Sequence, residues 1–310
     1  MIVSIIIPAY NAAATIAAAI HSALNQADIS YKLEIVIVND GSTDDTAAAL
    51  AKFKEQCLII TTTNQGVSAA RSAGLQRATG NYIQYLDSDD LLMPGKIKQQ
   101  LEVLIKEQAD IAYGDWEKFT EASGKKMITE TVTGQIKGDL AIVIFTDFWC
   151  PPAALLYSRK ITNKLQWSNT LPVIQDARYM LDAVLAGAKI VYTPGVQAQY
   201  RTNQDSSLSQ RSSLVFLKDC FTNASEVYEM WKNDITGNPT KKEALIKVLR
   251  GCITGFSLVD KSLFTQAIDL LYKIDSDYIP DNPGLHQTLS KYVGFRNAEK
   301  IAAIKRRLLK

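Results

Sequence analysis

The sequence predicts an α/β fold, a mostly parallel central sheet flanked by helices and followed by a helical region. Three observations predict it. Short apolar runs without alternation recur at residues 3–7 (VSIII), 34–38 (EIVIV) and 58–62 (LIITT), the pattern of strands covered on both faces. Helical stretches separate these runs, which implies βαβ units. From about residue 211 onward the period turns helical, so the chain divides near residue 205 into regions 1–205 and 206–310. At 310 residues the chain is long enough for one large α/β domain and a smaller appendage.

Taken in order, the first strand is broken by Pro8-Ala9-Tyr10-Asn11. Residues 12–25 are Ala-rich, with Ile16, Ile20 and Leu24 four apart, and read as a helix. After the second strand, Asn39-Asp40-Gly41-Ser42-Thr43 is a turn. Asp44-Asp45-Thr46 then opens a helix to about Glu55, since acids and hydroxyls suit a helix N-terminus. The third strand is followed by Asn64-Gln65-Gly66 and a helix over 67–78. Tyr82, Ile83, Tyr85 and Leu86 are β-formers and make a fourth buried strand. Residues 94–107 read as a helix with Pro near its first turn. Residues 111–113 read as a strand, 116–133 as a hairpin, 138–145 as a helix and 153–157 as a strand, with an irregular aromatic loop at 148–152. A helix over 175–186, short strands at 189–192 and 196–200, and a polar loop at 203–210 (NQDSSLSQ) complete the first region. The helical remainder is broken at Gly237-Asn238-Pro239 and at 279–284.

Composition excludes several classes. A net charge of +2 gives no case for nucleic-acid binding. The four cysteines (Cys57, Cys150, Cys220, Cys252) have neither paired spacing nor nearby histidines, so a zinc site or disulfide framework is not expected and a reducing cytosol fits. Two histidines, His21 and His286, argue against a His-dependent triad. The start of the chain has no basic segment and too short an apolar one for a secretory signal. No run approaches the roughly 20 apolar residues of a membrane-spanning helix. The expectation is a soluble cytoplasmic protein, or one lying on a membrane surface.

The chemistry concentrates in YIQYLDSDDL, residues 82–91. Asp87, Asp89 and Asp90 sit where a buried strand leaves the sheet and repel one another. A cation must offset that repulsion. Carboxylate oxygens suit Mg2+ or Mn2+, ions that also bridge phosphate oxygens. The alternative is a solvated acidic turn with Asp90 as a helix N-cap.

Four motifs now stand in order: PAYN at 8–11, VNDGSTDDT at 38–46, NQGVSAARSAGL at 64–75 and YLDSDD at 85–90. The set resembles the inverting glycosyltransferases of family 2, over roughly residues 2–205. The rival nucleotide-binding signatures, GxGxxG after a strand and GxxxxGK[ST], are absent. The resemblance implies a glycosyltransferase A-type fold with a Rossmann-like nucleotide-binding half, and a nucleotide-sugar donor. Asp40 at a strand end can accept the imide N–H of uracil, which favours UDP; otherwise it caps the turn. Pro8, Ala9 and Tyr10 would line base and ribose, although Tyr10 equally suits a packed core edge. Arg71 can reach the diphosphate, or pair with a surface acid. Ser72 stands where the family has Asn. Asp87 and Asp89 match the family's DXD motif, with Asp89 as the metal ligand, Asp87 toward the ribose or a metal-bound water, and Ser88 in the same donor-binding turn. Asp90 shapes the loop.

Inverting transfer needs a carboxylate to take the acceptor's proton. In the family it lies in a Glu-Asp pair that opens a helix; here the pair is Gln175-Asp176, so Asp176 is the expected base, unless it only complements the helix dipole. Tyr200-Arg201 followed by SLS at 207–209 resembles the family's YR-x-H-x-x-S ending, with Asn203 in place of His. Trp149 can stack on a sugar or pack in the core. The implied partners are a nucleotide sugar and a glycan or lipid-linked acceptor, in cell-surface polysaccharide, lipopolysaccharide or glycan synthesis. The last thirty residues hold seven Lys or Arg and two acids, with Ile301, Ile304 and Leu308 on one helical face. That face suits an anionic bilayer, packing against the domain, or an oligomer contact. Two rivals remain: a sugar nucleotidyltransferase, which would need a Gly-rich basic signature that residues 8–15 lack, and a non-catalytic nucleotide-sugar-binding or scaffold protein, which the departures at Gln175 and Asn203 keep open.

Overall fold

The computed structural model describes residues 1–122, 124–202, 213–281 and 283–308. The chain divides into two compact units, Met1–Ser207 and Leu208–Lys310.

The first unit is built on a nine-stranded sheet. Its centre is β1 (Ile2–Ala9), flanked by β2 (Lys32–Asp40) and β4 (Tyr82–Tyr85), with β3 (Leu58–Thr62) outside β2, all parallel. Val3, Ile5, Ile6 and Ile7 are fully buried, because helices cover both faces of the strand. Helix α1 (Ile16–Leu24) contributes Ile16, Ala19, Ile20 and Ala23 to that cover. Helix α2 (Thr46–Ala51) is shorter than expected and ends in turns. Helix α3 (Val67–Arg77) approaches β1 so closely that a Cβ on Gly74 would overlap Ile6.

The other half of the sheet is mixed. Strand β8 (Leu155–Ser158) runs antiparallel to β4 and to β6 (Ile111–Ala122). Strand β9 (Ile190–Arg201) is parallel to β6 and antiparallel to the two-residue β5 (Leu91–Leu92). Strand β7 (Lys125–Val132) forms a hairpin with β6. The parallel character expected from sequence thus holds for β3-β2-β1-β4. The later strands are joined partly by hairpin geometry, which needs no crossover helix. The short stretches expected around 111–122 and 190–201 are each one long strand. Bulges at Gly114/Asp115 and Asp115/Trp116 absorb the breaks, and Asp115 accepts from Tyr192 Oη (2.6 Å), Gly134 N and Gly195 N (both 3.0 Å). Helices α4 (Lys96–Glu107), α5 (Leu140–Thr146), α6 (Arg159–Thr162) and α7 (Gln175–Leu185) complete the unit.

The second unit is helical: α8 (Ser213–Trp231), α9 (Pro239–Phe256), α10 (Lys261–Ile274), α11 (Leu285–Val293) and α12 (Phe295–Leu308). The break at 237–239 is an N-cap: the Asn238 side chain accepts from Lys241 N (3.2 Å), with Pro239 opening α9. Leu245, Leu249, Ile253, Phe256, Ile268 and Leu271 form its core. No helix among the described residues is long and apolar enough to cross a membrane.

Candidate functional site

The sheet's carboxyl edge gathers the motif residues. Pro8 and Ala9 end β1 in register with Val38 and Asn39 of β2, and Tyr10 just beyond is 43% exposed. Asn11 adopts a left-handed backbone (φ 48°); its Oδ1 accepts from Thr43 N (2.8 Å) and its N donates to Ser42 Oγ (3.0 Å). The first motif is thereby tied to the second. Asp44 joins the same link, accepting from Ala13 N (3.1 Å) and Thr46 N (3.0 Å). Desolvation pushes its carboxyl up, but the Thr46 and Ala13 hydrogen bonds outweigh this and hold it below its ordinary range. Asp44 therefore serves the loop and helix start, as expected.

Asp40 is buried and engaged on both oxygens. Oδ1 accepts from Thr62 Oγ1 (3.2 Å) and Gln65 N (3.0 Å), and Oδ2 from Gly66 N (2.8 Å). In the free chain it clamps the loop after β3. Gly41 (φ +69°) permits the approach, since a Cβ there would lie 2.7 Å from Asn64 N.

The acidic turn after β4 contrasts with this. Asp87 accepts from Arg71 Nη2 at 2.5 Å. Arg71 is neither a surface cation nor solvated; it is 1% exposed, its guanidinium lies 4.5 Å over the Trp167 ring, and its Nε and Nη1 have no hydrogen-bond partner among the described residues. Ser88 sits in the turn, partly buried. Burial, then the charge of Asp87, raise the Asp89 carboxyl to about 6. Asp90 is fully buried. Its Oδ1 accepts from Arg201 N (2.9 Å) while Oδ2 has no partner among the described residues, and burial followed by the Asp89 and Asp87 charges raises it well above its ordinary range. It does not cap a helix, because α4 begins only at Lys96 and Gly95 occupies the N-cap position. Arg201 Nε donates to Asp89 O (3.0 Å) and Nη1 to Glu121 (2.7 Å), so this residue holds the turn. The loop at 203–210, with Asn203 and the SLS segment, lies outside the described residues.

Asp176 stands in the first turn of α7. Its Oδ2 accepts from Trp149 Nε1 (2.8 Å) and its Oδ1 from Ala177 N (2.8 Å). Burial raises the carboxyl, while the Arg71 charge and the Trp149 and Ala177 hydrogen bonds pull it down; the net position is above the ordinary range. Arg71 feels both Asp87 and Asp176, so one buried guanidinium joins the acidic turn to the α7 acid. Gln175, beside it, is buried with Oε1 unpartnered among the described residues. Trp149 is half-buried, edge-on to Trp116 and Tyr200 (centroids 5.3 Å each), so it is neither a free stacking platform nor a sealed core residue.

Sequence reasoning missed what braces this loop. Four successive carbonyls, Pro152 to Leu155, accept from buried side chains: Gln84 Nε2 to Pro152 O (3.1 Å) and Ala153 O (3.4 Å), Gln100 Nε2 to Ala154 O (2.9 Å), and Lys96 Nζ to Leu155 O (2.8 Å). Lys96 also donates to Gln84, and burial lowers its ammonium well below the ordinary lysine range. The signal was present: a Gln inside an otherwise buried strand, and Lys96 and Gln100 four apart on a helix face with Ile97, Leu101 and Leu104.

The site offers a divalent cation a fitting donor set. Asp89 has a carboxyl raised by burial and by the Asp87 charge, and Mg2+ or Mn2+ commonly binds through one or two carboxylates together with substrate phosphates. Among the described residues, no group of three or more His, Cys, Asp or Glu side chains is assembled that could by itself hold a metal ion.

Among curated relatives, the beta-1,3-glucosyltransferase WfgD of Escherichia coli, whose name gives it UDP-Glc and alpha-D-GlcNAc-diphosphoundecaprenol, is 32% identical over 136 residues, 43% of this chain and 53% of that one. WfaP of Escherichia coli, with the same named activity, is 41% identical over 118 residues, 37% and 46%. The chain spans about half the length of these relatives. The S. aureus TarS 1-349 structure in complex with UDP-GlcNAc superposes with a TM-score of 0.68 at 17% identity, covering 100% of this chain and 93% of that one. A Pyrobaculum calidifontis mannosyltransferase, PcManGT in complex with GDP-Man and Mn2+, gives 0.55 at 16% identity, covering 99% and 86%. These likenesses establish a glycosyltransferase A-like fold. The family model described as Glycosyl transferase family 2 matches residues 4–167, more than half of the sequence, and the chain belongs to that family.

Proposed function

We propose that this chain is a metal-dependent inverting glycosyltransferase that moves a sugar from a nucleotide sugar, UDP-linked, to a hydroxyl of a glycan or lipid-linked acceptor in cell-surface polysaccharide, lipopolysaccharide or glycan synthesis. Residues 1–205 form the catalytic part. The single observation that carries the proposal is the buried Arg71, which pairs with Asp87 of the acidic turn and lies near enough to Asp176 of α7 for its charge to act on that carboxyl. Relatives whose names specify UDP-Glc and a diphosphoundecaprenol acceptor support the donor and acceptor classes.

On this reading Pro8, Ala9 and Tyr10 border the nucleoside. Asp40 Oδ2 accepts one N–H in the free chain and has capacity for a second, the uracil imide. The free Nε and Nη1 of Arg71 supply a fixed positive field toward the diphosphate, and Asp87 and Ser88 face the ribose side of the donor. Asp89 would hold the divalent cation, which offsets charge on the departing diphosphate. Asp176 removes the acceptor hydroxyl's proton as its oxygen bonds to the sugar's C1 and the C1–O bond to the diphosphate breaks, releasing UDP. A carboxyl above its ordinary range is a stronger base for this step. The working place is the cytoplasm or the inner face of the cell membrane.

The test is transfer from UDP-sugars, read as UDP release with a saccharide acceptor. Asp176→Asn should lower transfer by about 10³-fold or more while leaving UDP affinity within about twofold. Transfer unchanged by this substitution would remove Asp176 from the base role.

A further inference from the structure

Helix α12 exposes an apolar stripe that its own unit leaves uncovered. Phe295, Ala298, Glu299 and Ala303 are buried, whereas Ile301, Ile304 and Leu308, at i, i+3 and i+7 on another side, are 46%, 62% and 81% exposed. Lys305 borders this stripe on one side, and Lys300 and Arg307 on the other, all exposed. Helix α11, packed against α12, adds exposed Leu285 and Tyr292, with Lys291 beside Tyr292.

The charge pattern says what fits. Between residues 285 and 308 there are six Lys or Arg and one acid, Glu299. That acid is withdrawn from the surface: it is 1% exposed, 2.9 Å from His286 Nε2 and 2.5 Å from Arg306 Nη2. Arg296 is paired with Asp269 and Arg306 with Glu299, which leaves exposed Lys291, Lys300, Lys305 and Arg307 beside the aliphatic stripe, with no acid on α11 or α12 but the buried Glu299 among the described residues. A second copy applied symmetrically would set the same cations against themselves. A negatively charged bilayer instead receives the aliphatic side chains at the acyl boundary, while long Lys and Arg stems reach back to lipid phosphates.

We infer that the outer face of the α11–α12 pair is a docking surface for anionic lipid bilayers. Its purpose rests on the lipid-linked acceptor of the proposed function, but its test does not. The full chain is floated with vesicles of phosphatidylcholine alone and of phosphatidylcholine with about 30% phosphatidylglycerol, without donor or acceptor. Binding should be at least about tenfold stronger on the anionic vesicles and should fall in about 0.5 M salt. Ile301→Ser with Ile304→Ser, and separately Lys305→Gln with Arg307→Gln, should each reduce it by about tenfold, with the helical spectrum and sedimentation unchanged. Equal binding to neutral and anionic vesicles, binding indifferent to both variants, or a self-association that the serine pair abolishes would overturn the inference. Transfer to a soluble acceptor is measured alongside, so a failed docking surface and a failed enzyme reading give different results.

Discussion

Two acids-bearing turns lie at the same edge of the same sheet, one after β2 and one after β4, and they are built in opposite ways. After β2, Asp40 accepts three hydrogen bonds and Asp44 is held below its ordinary range, so these carboxylates are engaged by their own loops and organise them. After β4, Asp89 and Asp90 are raised, Asp90 keeps an oxygen unpartnered among the described residues, and the charge of one buried arginine acts on both Asp87 and the distant Asp176. The first turn holds its acids with donors from its own neighbourhood. The second gathers three carboxyls at one turn, two of them raised by burial and by one another, with Arg71 on Asp87 and Arg201 on the turn.

The largest effect that sharpens this contrast is expected at the turn after β2. Asp40→Ala strands three donors, two of them backbone N–H groups, and should cost about 3 kcal/mol in urea unfolding, with loss of the loop that borders the nucleoside. A change below about 0.5 kcal/mol would mean that the clamp is replaced by water and that the contrast is weaker than drawn.

A smaller effect is expected at Trp149. Trp149→Phe removes one of the hydrogen bonds that pull Asp176 down, so its carboxyl rises further. Transfer should fall by about tenfold, and the acid limb of the pH–rate profile should move upward by about half a unit, with little change in unfolding. An unmoved acid limb would separate Trp149 from the base.

The smallest effect runs the other way. The folded carboxyl of Asp89 stands at about 6, above its unfolded value of about 3.9. A raised acid loses stability as pH climbs from about 4 to 6 and does not recover it above. Asp89→Asn should therefore stabilise the metal-free chain by about 1 kcal/mol at pH 7 and by almost nothing at pH 4, read as a pH series of thermal midpoints. A destabilised Asp89→Asn at pH 7 would show that folding does not raise this carboxyl.

Sequence made the strand ends and their acids legible because buried parallel strands leave continuous apolar runs, and polar residues at their carboxyl ends stand out against them. The later half of the sheet was less legible. Leu91–Leu92 is too short to show a period, and Gly114 and Gly195 read as breaks although bulges carry the strands through them. Within the candidate site, residue identity singled out Asp89 and Asp176 as candidates but said nothing of their surroundings. Arg71 was open between a ligand contact and a surface pair because its burial depends on Trp167, nearly a hundred residues away in sequence. The link from Trp149 to Asp176 and the Lys96–Gln84–Gln100 brace likewise join segments that no local pattern connects.

The most direct test of the central claim, that the acidic turn completes a cation site with a nucleotide diphosphate, is calorimetric titration of UDP with and without Mn2+ on the wild type and on Asp89→Asn. Wild type should bind UDP at least about tenfold more tightly with Mn2+, and the variant should bind equally in both conditions. UDP binding that ignores Mn2+ in the wild type, or a Mn2+ dependence that survives in the variant, would contradict it.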